Sequence, residues 1–267
     1  MWFSTKKIRI TSLKSGLTFS NFDEQKIIQK ICRALLLKSK YCVDIAAGDG
    51  IQMSNTLGLL QAGWSGLAVE FNPKKFKKLA TLYSKYRGAQ LFRTKVNPGN
   101  VVSLLKGAEV PENFGFLSID IDGYDHYVLK EILGTFRPLL ICAEFNEKIP
   151  PPIKFSVKYD PSYAWQENHF FGQSLSMLMD LASKKKYNLV EVEYNNAFLV
   201  PSEHSGKFRK LSAEEGYRLG YADKKDRLTR MPWNKDMEVL QNMKPPEAIR
   251  FINRYFQKYK GKYVCEI

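Results

Sequence analysis

The 267-residue sequence contains no apolar run near the roughly 20 residues that cross a bilayer, so membrane insertion is not expected. Its start, MWFSTKK, lacks the apolar stretch of a secretory leader. Cysteine is scarce and scattered. Cys32, Cys42, Cys142 and Cys265 form no C-x-x-C pair and no zinc-ligand spacing, which speaks against a disulfide framework or a zinc ribbon. Cys42 and Cys142 fall in apolar, strand-like runs, where free thiols behave as small hydrophobes. These absences together suit a reduced, cytoplasmic setting. G-x-G-x-x-G, the turn that seats a pyrophosphate on a helix N-terminus, does not occur. A nicotinamide-dependent oxidoreductase is thereby excluded. There is no internal repeat and no low-complexity tract.

Positive charge is abundant: 41 Lys and Arg against 27 Asp and Glu, a net +14. Such an excess invites a nucleic-acid or membrane-surface reading. The bases are spread along the chain, however. The densest clusters, Lys74-Lys75 with Lys77-Lys78 and Lys184-Lys185-Lys186, fall in predicted helices, where lysines normally form a solvated face. No recognised nucleic-acid motif accompanies them. The charge is compatible with an anionic substrate without requiring one. At 44 % hydrophobic residues, the chain can bury a full core.

Residues 22–37 have the apolar period of an amphipathic helix. The strand-like runs are 41–45, 66–70, a weaker one at 90–94, then 116–121 and 139–145. Helical segments at 54–62, 73–87, 125–133 and 172–186 alternate with them. Residues 189–193 and 197–200 flank the turn Tyr194-Asn195-Asn196, a hairpin signal. Alternation of this kind predicts an α/β fold: a doubly wound, mostly parallel seven-stranded sheet with an antiparallel edge hairpin. Three regions are expected: a helical N-terminal cap over 1–40, the α/β domain over 41–200, and a charged helical extension over 201–267.

The central signal is VDIAAGDG, ending at Gly50. A strand enters a small-residue turn that leads to a helix, and small residues let a ligand approach the backbone closely. About twenty residues on, Glu70 ends the next strand, where a carboxylate can accept both ribose hydroxyls of an adenosine cofactor. The pattern D-x-A-x-G-x-G carries its own acid, Asp44. An acidic turn repels pyrophosphate and suits a cationic adenosine cofactor, which points to S-adenosylmethionine with its ammonium and sulfonium.

At this point the sequence resembles the class I S-adenosylmethionine-dependent methyltransferases, and within them the FkbM-type group. The matching stretches are DIAAGDG (44–50), SNT (54–56), GWSGLAVE (63–70), LSIDIDGYD (117–125), AEFN (143–146) and FGQSL (171–175). They cover about residues 40–200 and leave out the tail. Ala46 departs from the glycine common in the superfamily. The resemblance implies a Rossmann-like methyltransferase fold. Asp44, Gly48 and Gly50 would then line the methionine end of the cofactor, with Ala46, Asp49, Ser54 and Asn55 also in contact with it. Glu70 would hold the ribose, and Asp120 would face the transferred methyl.

Asp120, Asp122 and Asp125 cluster at the end of the fourth strand, with Glu144 and Asn146 at the end of the fifth. Period-2 alternation points Asp120 and Asp122 to one side. A carboxylate there can act as general base toward an attacking hydroxyl. Alternatively, Asp120, Asp122, Glu144 and Asn146 offer oxygen ligands for a hard divalent cation such as Mg²⁺. Asp122-Gly123 is also a good turn dipeptide, and Asp125 a fair N-cap. His126 beside the cluster is a further catalytic candidate, with a solvated surface role equally open to it. His169 could line an acceptor pocket. Phe155, Tyr159, Tyr163 and Trp165, in a proline-rich stretch after the fifth strand, are placed to cover the cofactor mouth.

The function expected is methyl transfer to a hydroxyl of a sugar, glycan or small metabolite. Methyl transfer to RNA or another nucleic acid is the alternative that the charge supports, although no lysine stands where a K-D-K-E site needs one. A non-catalytic S-adenosylmethionine-binding module is the third. Nothing in the sequence decides for or against a homodimer.

Overall fold

The computed structural model describes residues 18–267; residues 1–17 of the expected N-terminal cap lie outside the described residues. Nine strands are formed among those described. They are β1 (Tyr41–Ile45), β2 (Ser65–Val69), β3 (Ala89–Phe92), β4 (Phe116–Ile119), β5 (Leu140–Glu144), β6 (Lys154–Val157), β7 (Tyr187–Glu193), β8 (Asn196–Pro201) and β9 (Tyr263–Glu266). The main sheet has seven strands in the order β3-β2-β1-β4-β5-β8-β7. β1 to β5 pair in parallel, whereas β8 runs antiparallel to both neighbours. The hairpin therefore sits at the edge as expected, but its inner strand is the reversed one.

Strands β1, β2, β4 and β5 are apolar on both faces because helices cover both. Odd positions, including Val43, Ile45, Leu67, Val69, Leu117, Ile119 and Ile141, pack into one core. Even positions, including Cys42, Ala68, Phe116, Leu140 and Cys142, pack into a second, on the opposite face. The helices are α1 (Glu24–Leu35), α2 (Leu57–Gln61), α3 (Pro73–Tyr83), α4 (Val101–Gly107), α5 (Asp125–Thr135), α6 (Leu175–Lys184), α7 (Ala213–Tyr217), α8 (Arg227–Arg230) and α9 (Pro245–Tyr255). α1, α2 and α3 cover the even face through Ile28, Ile31, Leu60, Leu79 and Tyr83. α4, α5 and α6 cover the other through Leu105, Val128, Ile132 and Leu178. α4 carries no strong sequence signal: it has only seven residues, with Val101 and Leu105 as its buried contacts.

Beyond β8 the chain is helical and 3₁₀, but it ends in a strand. β9 returns to pair antiparallel with β6, from the proline-rich stretch after β5. Four-residue strands with no clear alternation leave little trace in a sequence. The pairing creates a third, smaller core in which Ile149, Ile153, Phe155 and Phe170 meet Leu240, Ile252 and Phe256. The four cysteines are free; Cys42 and Cys142 are buried in β1 and β5.

The turn after β1 has left-handed backbone at Ala46 (φ +67°), Gly48 (φ +60°) and Gly50 (φ +77°). Ala46 pays the steric cost that glycine avoids there. Gly50 is constrained twice, since an added Cβ would lie 2.6 Å from Leu79 Cδ1 and 2.8 Å from Tyr83 Cε1. Gly50→Ala is expected to destabilise the fold by about 2–3 kcal/mol, the sum of overpacking and left-handed strain. Denaturant unfolding measures this directly.

Candidate active site

The carboxyl ends of β1, β2 and β4 open into a cleft of about 510 Å³, within the about 300–1,000 Å³ range of ligand sites. It lies where strand order reverses around β1, the position at which open α/β sheets bind ligands. Asp44, Ala46, Gly48, Asp49, Ser54, Asn55, Glu70, Asp120 and Asp122 all line it. Gly50 does not; it packs against α3.

The parity that separates the two cores also sets the acids. Asp44 shares the even face with Cys42, and its register partner on β4 is Ser118. Asp120 follows two residues later, and Glu144 follows Cys142 on the adjacent strand. Three acids thus emerge on one face of three neighbouring strands. Asp44 is buried, and its Oδ2 accepts the Thr56 hydroxyl at 2.6 Å. Burial pushes its pKa up to about 6, against the Thr56 hydrogen bond and with help from Asp120 and Glu70. Glu70 is buried as well. Its Oε2 accepts the Gly48 N–H at 2.8 Å and its Oε1 the Asn72 N–H at 2.5 Å. A carboxylate has about four lone-pair sites, so each oxygen retains one for a ligand hydroxyl.

Other turn residues are structural. The Asp49 carboxylate accepts the Ile51 and Gln52 N–H groups, both at 3.0 Å, and burial is outweighed there so that its pKa is lowered. Ser54 Oγ accepts the Leu57 N–H at 3.1 Å at the start of α2. Asn55 leaves its Oδ1 buried without a hydrogen-bond partner beside the cleft.

The alternation argument does not reach Asp122, because β4 ends at Ile119. Asp122 instead sits in a left-handed turn at φ +57°. Asp125 builds that turn: its two carboxylate oxygens accept the N–H groups of Ile121 (2.7 Å) and Gly123 (3.0 Å). It acts on the turn before α5 rather than as an N-cap within it. Ligand oxygens of Asp120, Asp122 and Glu144 then lie within 4.8 Å of one another. Such crowding of like charge cannot remain fully ionised. Glu144 is raised well above the carboxylate range, by burial and then by Asp120, Asp122 and Asp125. Asp122 is pushed up to about 8, first by burial and then by Asp120 and Asp125. Asp120 is also raised, although its outer surface opens to the cleft; depth in the crevice is the main cause. Both groups are raised, and Glu144, raised well above the carboxylate range, is the one of the pair that favours its neutral form. Asn195 Nδ2 donates to Glu144 Oε1 at 2.9 Å, which fixes the carboxyl in place.

The structure does not bring His126 or Asn146 to the cleft. His126 Nδ1 lies 3.1 Å from Gln173 Oε1, and burial lowers its pKa. Asn146 is fully buried, and its Nδ2 donates to the carbonyls of His169 (2.9 Å) and Phe171 (3.1 Å). His169 is likewise occupied elsewhere, with Nε2 2.9 Å from Asp236. The remaining all-carboxylate trio fits a hard divalent cation by donor type.

The cleft also has a basic wall and an aromatic roof. Lys74, Lys75 and Lys78 of α3 line it, together with Lys95 after β3 and the exposed Phe71. Because α3 starts three residues after Glu70, its first turns necessarily border the site. Tyr163, Ala164 and Trp165 form the roof. Lys95 Nζ pins it by donating to the carbonyls of Pro161 and Tyr163, both at 2.9 Å. Of the four aromatics expected over the mouth, Phe155 belongs to the third core, and Tyr159 packs edge-on against Tyr124 at 5.0 Å.

No family model matches the chain, and no curated protein does. Solved structures that resemble it are S-adenosylmethionine-dependent methyltransferases. The N-terminal domain of EvdMO1 with SAH bound is 11 % identical, with 68 % of this chain and 82 % of that one covered and a TM-score of 0.43. A methyltransferase of this class from Clostridium acetobutylicum ATCC 824 is 9 % identical, covering 68 % and 92 %, at 0.43. Magnesium protoporphyrin IX methyltransferase from Synechocystis PCC 6803 with bound SAH is 11 % identical, covering 70 % and 90 %, at 0.42. At such distances the functional reading rests on the site itself.

Asp125→Ala leaves two turn amides without their acceptor. It is expected to cost about 2–3 kcal/mol and to loosen residues 121–123, read as lower melting temperature and faster amide exchange there.

Proposed function

We propose that the protein is an S-adenosylmethionine-dependent methyltransferase that methylates a hydroxyl of a sugar, glycan or small metabolite. The observation that carries this reading is the set of carboxyls gathered at the strand ends, with the lysines confined to one wall of the cleft. The floor formed by Asp44, Glu70 and Asp120 suits the cationic end of a ligand. The FkbM-type group supplies the finer likeness, through the motifs at 44–50, 117–125 and 143–146.

S-adenosylmethionine, when bound, supplies an electrophilic methyl on a sulfonium. Glu70 offers its two remaining lone-pair sites to the ribose hydroxyls. Phe71, 62 % exposed at the cleft, stacks on the base. Asp44 faces the charged methionine end. Asp120, beside the neutral Glu144, accepts the proton of the attacking hydroxyl. Asp122 and Glu144 complete the carboxylate trio. In the alternative chemistry, Asp120, Asp122 and Glu144, all ionised, would hold Mg²⁺, which would lower the hydroxyl pKa in place of the carboxylate base.

Three outcomes are expected. Glu70→Ala weakens S-adenosylhomocysteine binding about tenfold to a hundredfold, the value of hydrogen bonds to a charged acceptor, measured by calorimetry. No heat with the well-folded wild-type chain refutes the reading. Affinity for S-adenosylmethionine rises with pH through about 6, as Asp44 ionises, and levels off above it. The limiting slope below that point is about tenfold per pH unit. Asp120→Asn retains cofactor binding and loses about 10²–10⁴-fold in turnover, followed as tritiated methyl transfer into a fractionated cell extract; full activity after chelation would remove the metal from the mechanism.

A second reading, methyl transfer to nucleic acid, draws on Lys74, Lys75, Lys78 and Lys95 along one wall of the cleft. Label entering RNA, with binding that falls steeply with salt, would select it over the first.

A further inference from the structure

Next to the main cleft, and sharing Tyr163 and Ala164 with it, is a smaller pocket of about 120 Å³. One wall is the roof loop, with Asp160, Ser162, Gln166 and Asn168. The other is the C-terminal tail, with Tyr259 and Lys262. The two walls are joined by the β6–β9 pairing and by Lys158, which donates to the Gly261 carbonyl at 3.1 Å. Behind them Phe170 lies flat against Tyr259, ring centroids 3.9 Å apart and 8° from parallel.

We propose that this pocket is a carbohydrate subsite, holding a second sugar ring of an acceptor whose first ring lies in the main cleft. The proposal rests on the methyltransferase reading of that cleft. Size is the first argument: about 120 Å³ falls below the about 300–1,000 Å³ of whole-ligand sites, so the pocket takes a fragment. Its chemistry is the second. Asp160 Oδ1 is used by the Ser162 N–H (2.9 Å) and hydroxyl (2.6 Å), while Oδ2 faces Lys262 Nζ at 3.7 Å. That gap is too long for a direct hydrogen bond. A ligand hydroxyl placed in it accepts from Lys262 and donates to Asp160, which a phosphate or carboxylate cannot do. The Tyr259 hydroxyl accepts from Asn168 Nδ2 (3.0 Å) and donates to Gln166 Oε1 (3.3 Å). This leaves the Gln166 amide N–H groups for the ligand. Paired donors and acceptors beside an aromatic wall suit the hydroxyls and C–H face of a sugar ring. The tail, absent from the motif-bearing part of the sequence, thereby becomes the element that selects the acceptor.

The test uses the full chain, first titrated with S-adenosylhomocysteine by calorimetry. It is then examined by saturation-transfer NMR with glucose, galactose and N-acetylglucosamine and with cellobiose, lactose and chitobiose. At least one disaccharide is expected to bind tenfold or more tightly than its monosaccharide. The double variant Gln166→Ala, Lys262→Met should abolish that advantage with S-adenosylhomocysteine affinity unchanged; both side chains are exposed, so folding is not at risk. A cofactor that binds while no saccharide does, or a disaccharide advantage that survives in the double variant, overturns the subsite. A cofactor that fails to bind overturns the main-cleft reading instead, and the saccharide arm still decides the pocket.

Discussion

Negative charge concentrated where the parallel strands end, with the lysines held to one wall, is the constraint around which the site is organised. Asp44, Glu70, Asp120 and Asp122 line one cleft, with Glu144 beside Asp120 and Asp122, and burial makes the ionised forms of Asp44, Asp120, Asp122 and Glu144 costly. The protein answers in two ways. Glu144 is raised well above the carboxylate range and favours its neutral form, which lowers the charge carried beside Asp120. Glu70 and Asp125 spend their oxygens on backbone N–H groups of the turns that shape the crevice. What remains is an acidic floor facing a basic wall, and the floor suits the cationic end of a ligand.

The same carboxylates are therefore both structure and chemistry. Glu70 ties the Gly48 turn to the end of β2, so the group assigned to the ribose also holds the loop that the cofactor must approach. Ala46, at φ +67°, stores strain in that loop of about 1–2 kcal/mol relative to glycine. Asp125, at the start of α5, plays the parallel part after β4, where it folds the left-handed turn that carries Asp122. Loss of any of these ties moves a carboxylate of the cleft as well as lowering stability.

Around this floor, the walls come from elements of different rank. The lysines of α3 follow β2 directly and have no choice but to border the cleft. The roof, by contrast, depends on distant chain: Lys95 pins it from one side, and the third core with the β6–β9 pair pins it from the other. The C-terminal tail adds one bridge, Leu211 to Leu189, at the edge of the main sheet, and through the third core it backs the loop that carries Tyr163 and Trp165.

The strand-turn-helix motif with its glycines, the alternation of strands and helices, the edge hairpin and the acids at the strand ends were all legible in the residues alone. They depend on local periodicity, small-residue turns and short sequence separations, which a linear chain displays. Asp122 was placed on the right side for the wrong reason, since the strand stops before it and a tie from Asp125 takes over. The fates of His126 and Asn146 were not legible: both stand beside the acids in sequence, but hydrogen bonds to Gln173 and to the 169–171 backbone turn them away. Nor could the sequence reveal that β9 joins β6, or that Tyr259 and Lys262 reach the roof loop. Those contacts bring together residues about a hundred positions apart through strands of four residues. Only the closure of the tertiary fold, in which the apolar faces of the roof and the tail bury each other, decides them.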